Sequence, residues 1–135
     1  MNTTKRATIL LIILLAGSYV SLAAPYATPE EQVMTFLWGA AGDAGGKTEL
    51  LYNVVEDAYN TRITFTHDKK FSGSDGMHGI WAFQDGKLTL TTLDTKDGFT
   101  IKFDPATLNN GQMKGLVTSK GKWHGRHIVL KVLPK

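Results

Sequence analysis

Turn signals at near-regular intervals are the feature that most constrains the fold of this chain. Asp85-Gly86, Asp97-Gly98 and Asn110-Gly111 are typical of two-residue β-hairpin turns, because both central positions of such turns need a positive φ. Further turns are predicted near residues 68, 74 and 120, so that turns recur about every 10–13 residues. Short strands joined by hairpins at this spacing predict an antiparallel meander.

Between the turns the sequence has the composition and alternation of half-buried strands. Ile63 and Phe65 would face one side of a strand while Arg62 and Thr64 face the other. Segments of this kind, rich in Thr, Ile, Val and Phe, are TELLYNVV, RITFT, GIWAF, LTLTTL, DGFTIKFD, QMKGLVTS and HIVLKVL. Because a small open sheet leaves unpaired edges, we expect an all-β fold in which the meander closes into a barrel or sandwich.

A short helix is predicted before the strands. Thr28 is suited to the N-cap, Pro29 to the first helical position and Glu31 to the third. The apolar residues Val33, Phe36, Leu37 and Ala40 then follow at helical spacing, and a glycine-rich stretch from 39 to 46 ends the segment. The alternative is that VMTFLWG forms the first strand; the helix is the favoured interpretation.

The N-terminus has the pattern of a secretory signal peptide. Lys5 and Arg6 precede an apolar run that is ten residues long from Ala7 to Ala16, and small residues follow, with cleavage predicted after Ala23. A membrane-spanning helix needs about 20 apolar residues, so no permanent membrane anchor is expected. The predicted organisation is therefore a signal peptide (1–23), a helix with a glycine-rich connection (24–46) and a β-barrel domain (47–135), exported to the periplasm or secreted.

Removal of residues 1–23 would lower the formal net charge from +3 to +1, because Lys5 and Arg6 leave and no acid does. The basic character that could suggest nucleic-acid binding therefore largely belongs to the export signal. The chain has no cysteine, so a packed core must stabilise the domain without disulfides. An exported domain without cystines favours a bacterial setting.

The segment RITFTHDKKFSGSDGMHGIWAFQDGKLTLTT resembles the bacterial lipocalin-like (calycin-type) small β-barrel domains. The positions that carry the resemblance are Phe65, Phe71, Gly79, Trp81, Asp85, Gly86, Lys87 and Leu88, with MKGLV at 113–117. The resemblance covers about residues 60–133 and concerns the fold; it includes no catalytic motif. The chain departs from the family at its start, where LWGAAG replaces the expected G-x-W.

The resemblance implies an up-and-down antiparallel barrel of about eight strands, which can hold one small ligand or fill itself with side chains. Lipocalin-like proteins of known role mostly bind small apolar molecules or other proteins. The tentative ligand-binding residues are Phe65, Trp81, Leu88, Leu90, Phe99, Ile101, Phe103 and Arg126. The apolar members, together with Ile128 and Leu130, fit a filled core equally well.

Two of these residues have competing interpretations. Trp81 fits a core tryptophan, with Gly79 allowing close backbone approach, or a stacking surface for a ligand. Arg126 lies in the last third of the chain, which has no acidic residue after Asp104. It could capture a carboxylate or phosphate, or it could simply belong to a solvated basic face.

The sequence indicates no catalytic, metal or cofactor site. Ser72, Ser74, Asp75 and His78 are the residue types of a catalytic triad, but they lie in a turn, where Ser, Asp and Gly accumulate for backbone reasons. His124 and His127 are three apart in a segment interpreted as a strand, a spacing that sends side chains to opposite faces.

Three functional hypotheses follow. The first is a non-enzymatic exported barrel that binds a small apolar or amphipathic ligand in its lumen. The second is a periplasmic inhibitor or immunity-type protein that binds an exported protein through loops 68–78 and 119–126. The third is a small nuclear-transport-factor-like α+β enzyme, suggested by the opening helix TPEEQVMTFLWGAAGD. No pattern in the sequence indicates the oligomeric state.

Overall fold

The computed structural model describes residues 27–93 and 98–134. The predicted export signal (1–23), and Asp97 of the predicted Asp97-Gly98 turn, lie outside these residues. A helix, α1 (Pro29–Thr35), continues as a π-helical turn (Phe36–Ala40) and precedes eight strands. The strands are β1 (Lys47–Val54), β2 (Tyr59–Thr66), β3 (Lys70–Gly73), β4 (His78–Gln84), β5 (Lys87–Thr92), β6 (Phe99–Phe103), β7 (Gln112–Ser119) and β8 (His127–Val132), with a 3-10 turn at Pro105–Thr107.

Each strand pairs antiparallel with the next, and β1 also pairs with β8, so the sheet is a closed barrel. The closing register places Leu50 opposite Val132 and Val54 opposite Ile128. The all-β prediction, with a short helix before the first strand, is confirmed. Among the described residues the structure lacks the several helices that a nuclear-transport-factor-like α+β fold would require.

The predicted hairpin turns are present where residues on both sides are described. Asp85 and Gly86 have φ values of 52° and 78°, and Asn110 and Gly111 have 51° and 74°. Paired positive values of this kind match the right-handed twist of the flanking strands. Local sequence alone therefore sets the path of the chain at these two corners.

Ala58, in the loop between β1 and β2, also has a positive φ, of 51°, which is strained for a residue with a Cβ atom. We expect Ala58→Gly to raise the free energy of unfolding by about 0.5–1 kcal/mol, measured by urea denaturation. Ala44→Gly is the matched control, because Ala44 is exposed in a loop and has no positive φ. Equal destabilisation of both variants would contradict the strain argument.

The barrel interior is filled with apolar side chains. Inward positions alternate with outward ones along each strand, and the inward residues that have no exposed surface are Leu50, Ile63, Phe65, Leu88, Leu90, Ile101, Phe103, Met113, Ile128 and Leu130. An eight-stranded barrel is just wide enough for such side chains. Its middle layers are therefore a packed core.

Two glycines face aromatic rings across strand pairs. Gly79 on β4 lies opposite Phe71 on β3, and Gly115 on β7 lies opposite Phe103 on β6. A Cβ atom at Gly79 would lie 2.8 Å from the Phe71 ring, and one at Gly115 would lie 2.5 Å from the Phe103 ring. The absent side chains provide space in which the two rings lie against the barrel wall.

The helix has the predicted capping box. The Thr28 hydroxyl accepts from the Glu31 backbone N–H at 3.1 Å, and the Glu31 carboxylate accepts from the Thr28 N–H at 2.8 Å. That backbone hydrogen bond lowers the pKa of Glu31. Ala40 was expected on the buried face but is exposed, and Ala41 packs against the core instead. The reason is the π-helical turn, in which Ala41 N–H bonds to the Phe36 carbonyl and widens the helical period.

The helix covers one end of the barrel, here called the helix end. It is the end where β1 begins, and Val33, Phe36 and Leu37 are buried there in the common core. The helix contacts β5 and the 3-10 turn, while the π-helical turn contacts β1. Within the described residues, no helix is long and apolar enough to cross a bilayer.

Two local predictions need correction. The segment from Trp123 was interpreted as a strand, but residues 121–126 form a bend and turns, and β8 begins at His127. Gly125 has a φ of 83°, which is incompatible with a strand, so His124 belongs to a loop and the strand-face argument for His124 and His127 does not apply. Strand β3 was not recognised, because its four residues, KFSG, contain one large apolar side chain.

Candidate functional site

The end opposite the helix, here called the mouth, holds a cavity of about 440 Å³. Its loops are 55–58, 74–77, 93–98 and 120–126, of which residues 94–97 are not described. The cavity, called the cup below, is lined by Tyr52, Val54, Tyr59, Asp75, Gly76, Met77, Phe99, Val117 and Trp123. It is a concave, mainly aromatic and aliphatic surface at the end of the barrel that α1 leaves uncovered.

Strand alternation explains why these side chains converge. Tyr52 and Val54 continue the inward face of β1 beyond Leu50, and Tyr59 begins the inward face of β2. Phe99 occupies the corresponding position at the start of β6. Tyr52, Val54 and Val117 are 2–4% exposed and form the floor. The cup is therefore the last inward layer of the barrel, and no helix or strand among the described residues covers it.

The polar feature of the cup is the Asp75 carboxylate, in the loop between β3 and β4. One oxygen accepts from the Met77 backbone N–H at 3.0 Å, and the other accepts from the Tyr59 hydroxyl. The hydrogen bond to Asp75 raises the pKa of Tyr59 to about 12, with further contributions from burial and from the charge of Asp75. Burial raises the pKa of Tyr52, as do Asp75 and Tyr59 beside it. Both tyrosines are neutral at physiological pH.

The rim around the cup is partly apolar. Val55, Tyr59 and Leu93 are 56%, 38% and 63% exposed, and all three lie at mouth-side ends of β1, β2 and β5. Exposed apolar residues grouped around a cavity are typical of a binding surface. Of the three, Tyr59 also lines the cup, whereas Val55 lines a separate depression on the outer face of the barrel.

An ion pair and a set of hydrogen bonds join loop 55–58 to the loop before β8 and to the first residue of β8. The Arg126 Nε donates to Asp57 Oδ2 at 2.8 Å. The backbone N–H of His127 donates to Glu56 Oε1 at 2.8 Å, and its imidazole pairs with the other Glu56 oxygen. These hydrogen bonds from His127 lower the pKa of Glu56 to about 2. The contacts hold loop 55–58 against the start of β8, where the barrel closes.

This geometry predicts how acid affects stability. The Glu56 carboxylate has a lower pKa in the folded protein than its ordinary value of 4.5, so its contribution is present above pH 4.5 and is lost as the pH falls towards 2. We expect Glu56→Gln to flatten the decline of unfolding free energy over that range, measured by urea denaturation at a series of pH values. Glu30→Gln, at an exposed helix position without an ion pair among described residues, should keep the wild-type slope.

The structure divides the predicted ligand-binding residues into three groups. Phe65, Trp81, Leu88, Leu90, Ile101 and Phe103 lie in the packed interior and are at most 2% exposed. Phe99 lines the cup. Arg126 lies at the rim, where its Nε pairs with Asp57, so an anion captured by Arg126 would share the guanidinium with this carboxylate.

Trp81 has the contacts of a core tryptophan. Its indole N–H donates to the Thr66 carbonyl at 2.9 Å, and its ring centroid is 6.2 Å from those of Phe65 and Trp38. The Lys69 ammonium lies 4.3 Å from the ring centroid. These contacts hold the indole in the packed interior of the barrel.

Sequence reasoning missed most of the cup. Tyr52 and Tyr59 were not predicted at any site, and Met77 and Trp123 were included only in the loops 68–78 and 119–126 predicted to bind a protein partner. Asp75 belongs to the first of these loops and was otherwise weighed as a triad residue type and assigned to a turn. The available signal was the period of two: it extends the inward face of β1 to Tyr52 and Val54. What the sequence could not give was which end of the barrel the helix covers.

The Ser-Asp-His segment that was assigned to a turn makes local contacts. The Ser74 Oγ lies 2.7 Å from Thr61 Oγ1, and Asp75 is engaged by Tyr59 and Met77. His78 Nδ1 lies 3.4 Å from the Gly76 carbonyl. These are the side chain-to-backbone and cross-strand contacts expected of a turn.

Other concavities lie on the outside of the barrel. A 560 Å³ depression beside the start of β1 has a mixed lining that includes Asp43, Lys47 and Val132, and a 310 Å³ groove crosses the outer face of β5 to β7 beside Lys102 and Lys114. Two further depressions, of 270 and 340 Å³, each contain one aromatic residue, Tyr59 and Phe99 respectively. None of these four has more than one aromatic residue in its lining, whereas the cup has four. The cup is the cavity whose lining best matches ligand sites, which are concave and mainly apolar with a few placed polar groups.

The chain matches no protein-family model, and no curated protein or solved structure matches it.

Proposed function

We propose that this protein is an exported, non-enzymatic, lipocalin-like barrel that binds a small apolar or amphipathic ligand in the cup. The observation that carries the proposal is the 440 Å³ cavity with aromatic walls at the end opposite the helix. Ligand pockets in proteins occupy about 300–1,000 Å³ and are lined mainly by hydrophobic and aromatic side chains. Export rests on the N-terminal segment, outside the described residues.

The packed interior supports the mouth as the place of binding. Further from the mouth than Tyr52 and Val117, the inward positions are occupied by residues such as Leu50, Ile63 and Met113, which have no exposed surface. A ligand that entered deeper would have to displace this core, at the cost of its packing. The proposed ligand therefore sits at the end of the barrel, with its apolar part on the cup floor.

Displacement of the neutral fluorescent probe N-phenyl-1-naphthylamine would test the proposal. Octanol is expected to compete with it for the wild-type protein. Trp123→Ala, which removes the largest aromatic wall of the cup, should weaken probe binding about tenfold. Leu116→Ala is the matched control, because Leu116 is 47% exposed on the outer wall. Absence of probe binding to the folded wild type, or equal loss in both variants, would overturn the proposal.

A protein partner at the mouth is the second candidate, favoured by the exposed rim. Val55 and Leu93 are more than half exposed, which suits an inhibitor or immunity-type protein that docks through its loops. Val55→Ser combined with Leu93→Ser should abolish capture of an exported partner while leaving probe binding intact. If the double variant lost both probe binding and partner capture, the ligand and the partner would share one surface at the cup.

A further inference from the structure

The chemistry of the cup suggests which class of amphipathic molecule it takes. Its lining contains four aromatic rings, those of Tyr52 in the floor and of Tyr59, Phe99 and Trp123 in the walls, and its only charged lining residue among those described is Asp75. Aromatic faces attract cations through the ring quadrupole, and a carboxylate does so through its charge. Both features favour a ligand with a cationic head group.

No basic side chain among the described residues forms an ion pair with the Asp75 carboxylate. Arg126, at the same end of the barrel, is paired with Asp57, and the partners of Asp75 are the Tyr59 hydroxyl and the Met77 N–H. These two hydrogen bonds hold the carboxylate in place and leave its charge without a counterion in that part of the chain. A ligand cation would supply one.

The protein itself places a cation near one of the cup rings. The Lys122 ammonium lies 5.7 Å from the centroid of the Trp123 ring, within the roughly 6 Å reach of a cation–π contact. Lys122 is exposed on the loop between β7 and β8, so it can move away without unfolding the barrel. The contact shows that this ring is accessible to an ammonium group.

From these contacts we propose that the cup selects organic ammonium ions that carry an apolar tail. The ammonium group lies beside Asp75 and against the rings of Tyr52, Tyr59 and Trp123, and the tail contacts Val54 and Val117 on the floor. This inference rests on the proposed function and adds the charge of the head group to it.

Asp75 and the groups beside it disfavour a ligand with an anionic head group. An anionic head group in the cup would meet the Asp75 carboxylate. The Tyr59 hydroxyl already donates its proton to Asp75, so it presents lone pairs rather than a donor. A neutral alcohol could hydrogen bond to Tyr52 but would leave the Asp75 charge uncompensated.

Isothermal titration of the full chain with three ligands of equal tail length tests this selectivity. Octyltrimethylammonium is expected to bind at least about tenfold tighter than octanol or octanoate at low salt. Raising the salt from 20 to 200 mM should weaken only the cationic ligand's binding, because screening acts on its pairing with Asp75.

Asp75→Asn is the decisive variant, since asparagine keeps the shape of the side chain and an oxygen that can accept from Met77. It should remove the preference for octyltrimethylammonium, so that this ligand and octanol bind the variant with similar affinity. Asp68→Asn makes the same charge change in the loop between β2 and β3, at the helix end, and should behave as wild type. A thermal melt of each variant verifies folding. If Asp75→Asn does not fold, the salt dependence in the wild type decides the question.

The possible outcomes distinguish the selectivity for ammonium ions from the proposed ligand-binding function. Equal affinity for all three ligands, or retention of the cationic preference in Asp75→Asn, would overturn the selectivity while leaving a ligand-binding cup. Preference for octanoate would overturn it in favour of Lys120, Lys122 and Arg126 as the recognising groups. Failure of all three ligands and of the neutral probe to bind would overturn the proposed function as well.

Discussion

Gly79→Ala is expected to lower the free energy of unfolding by about 3 kcal/mol or more. A Cβ atom at this position would lie 1.9 Å from the Thr91 carbonyl oxygen and 2.8 Å from the Phe71 ring. The ring can rotate, but the carbonyl belongs to the β5 backbone, which is held between β4 and β6 in a closed sheet. The clash can therefore be relieved only by separating paired strands.

Gly39→Ala is the control for this prediction. A Cβ atom at Gly39 would have its nearest contact at 3.5 Å, with a Thr35 methyl group, and Gly39 has no positive φ. Both variants can be compared by urea denaturation followed through tryptophan fluorescence. A Gly79→Ala transition at the wild-type denaturant concentration would mean that β4 and β5 are not packed as closely as described.

Phe65→Ala is expected to cost about 3–5 kcal/mol, the usual range for loss of a fully buried phenylalanine. Phe65 has no exposed surface, and its ring centroid lies 6.4 Å from that of Phe71 and 6.2 Å from that of Trp81. Removal of the Phe65 ring leaves a cavity, because the closed barrel wall around it cannot collapse freely to fill the space. The loss is measured as the shift in urea midpoint at constant m-value.

Phe99→Ala provides the contrast, because the Phe99 ring is only half-buried and faces the cup. It should lose less stability than Phe65→Ala but bind the apolar probe more weakly. If Phe65→Ala instead abolished binding while costing little stability, the interior would be a ligand chamber and not a core. That result would restore the lumen site first expected from the alternation of residues such as Leu88 and Ile101.

Local chemistry accounts for the parts of the fold that could be predicted. The Thr28 capping box and the Asp85-Gly86 and Asn110-Gly111 turns depend on residues close together in sequence. The inward positions Ile63 and Phe65 follow from the period of two along a single strand. In each case the physical cause acts within a few residues, so one segment contains all the required information.

The candidate site depended on information that no single segment contains. Asp57 and Arg126 are 69 positions apart and meet at the mouth because β1 pairs with β8. Asp75 meets Tyr59 because β2 and β3 are adjacent. Which end the helix covers is set by packing of Val33 and Leu37 against the assembled core. Such contacts exist only after the barrel has closed.

The pairing of β1 with β8 has a practical consequence for how the molecule can be presented. The chain enters β1 at Lys47 and leaves β8 at Val132, and both points lie at the helix end. A tether attached beyond β8 would therefore anchor the barrel from the side away from Trp123 and Asp75. Molecules immobilised on a sensor surface in this way would all face the solution with the same end, which lets ligand be applied without obstruction by the support.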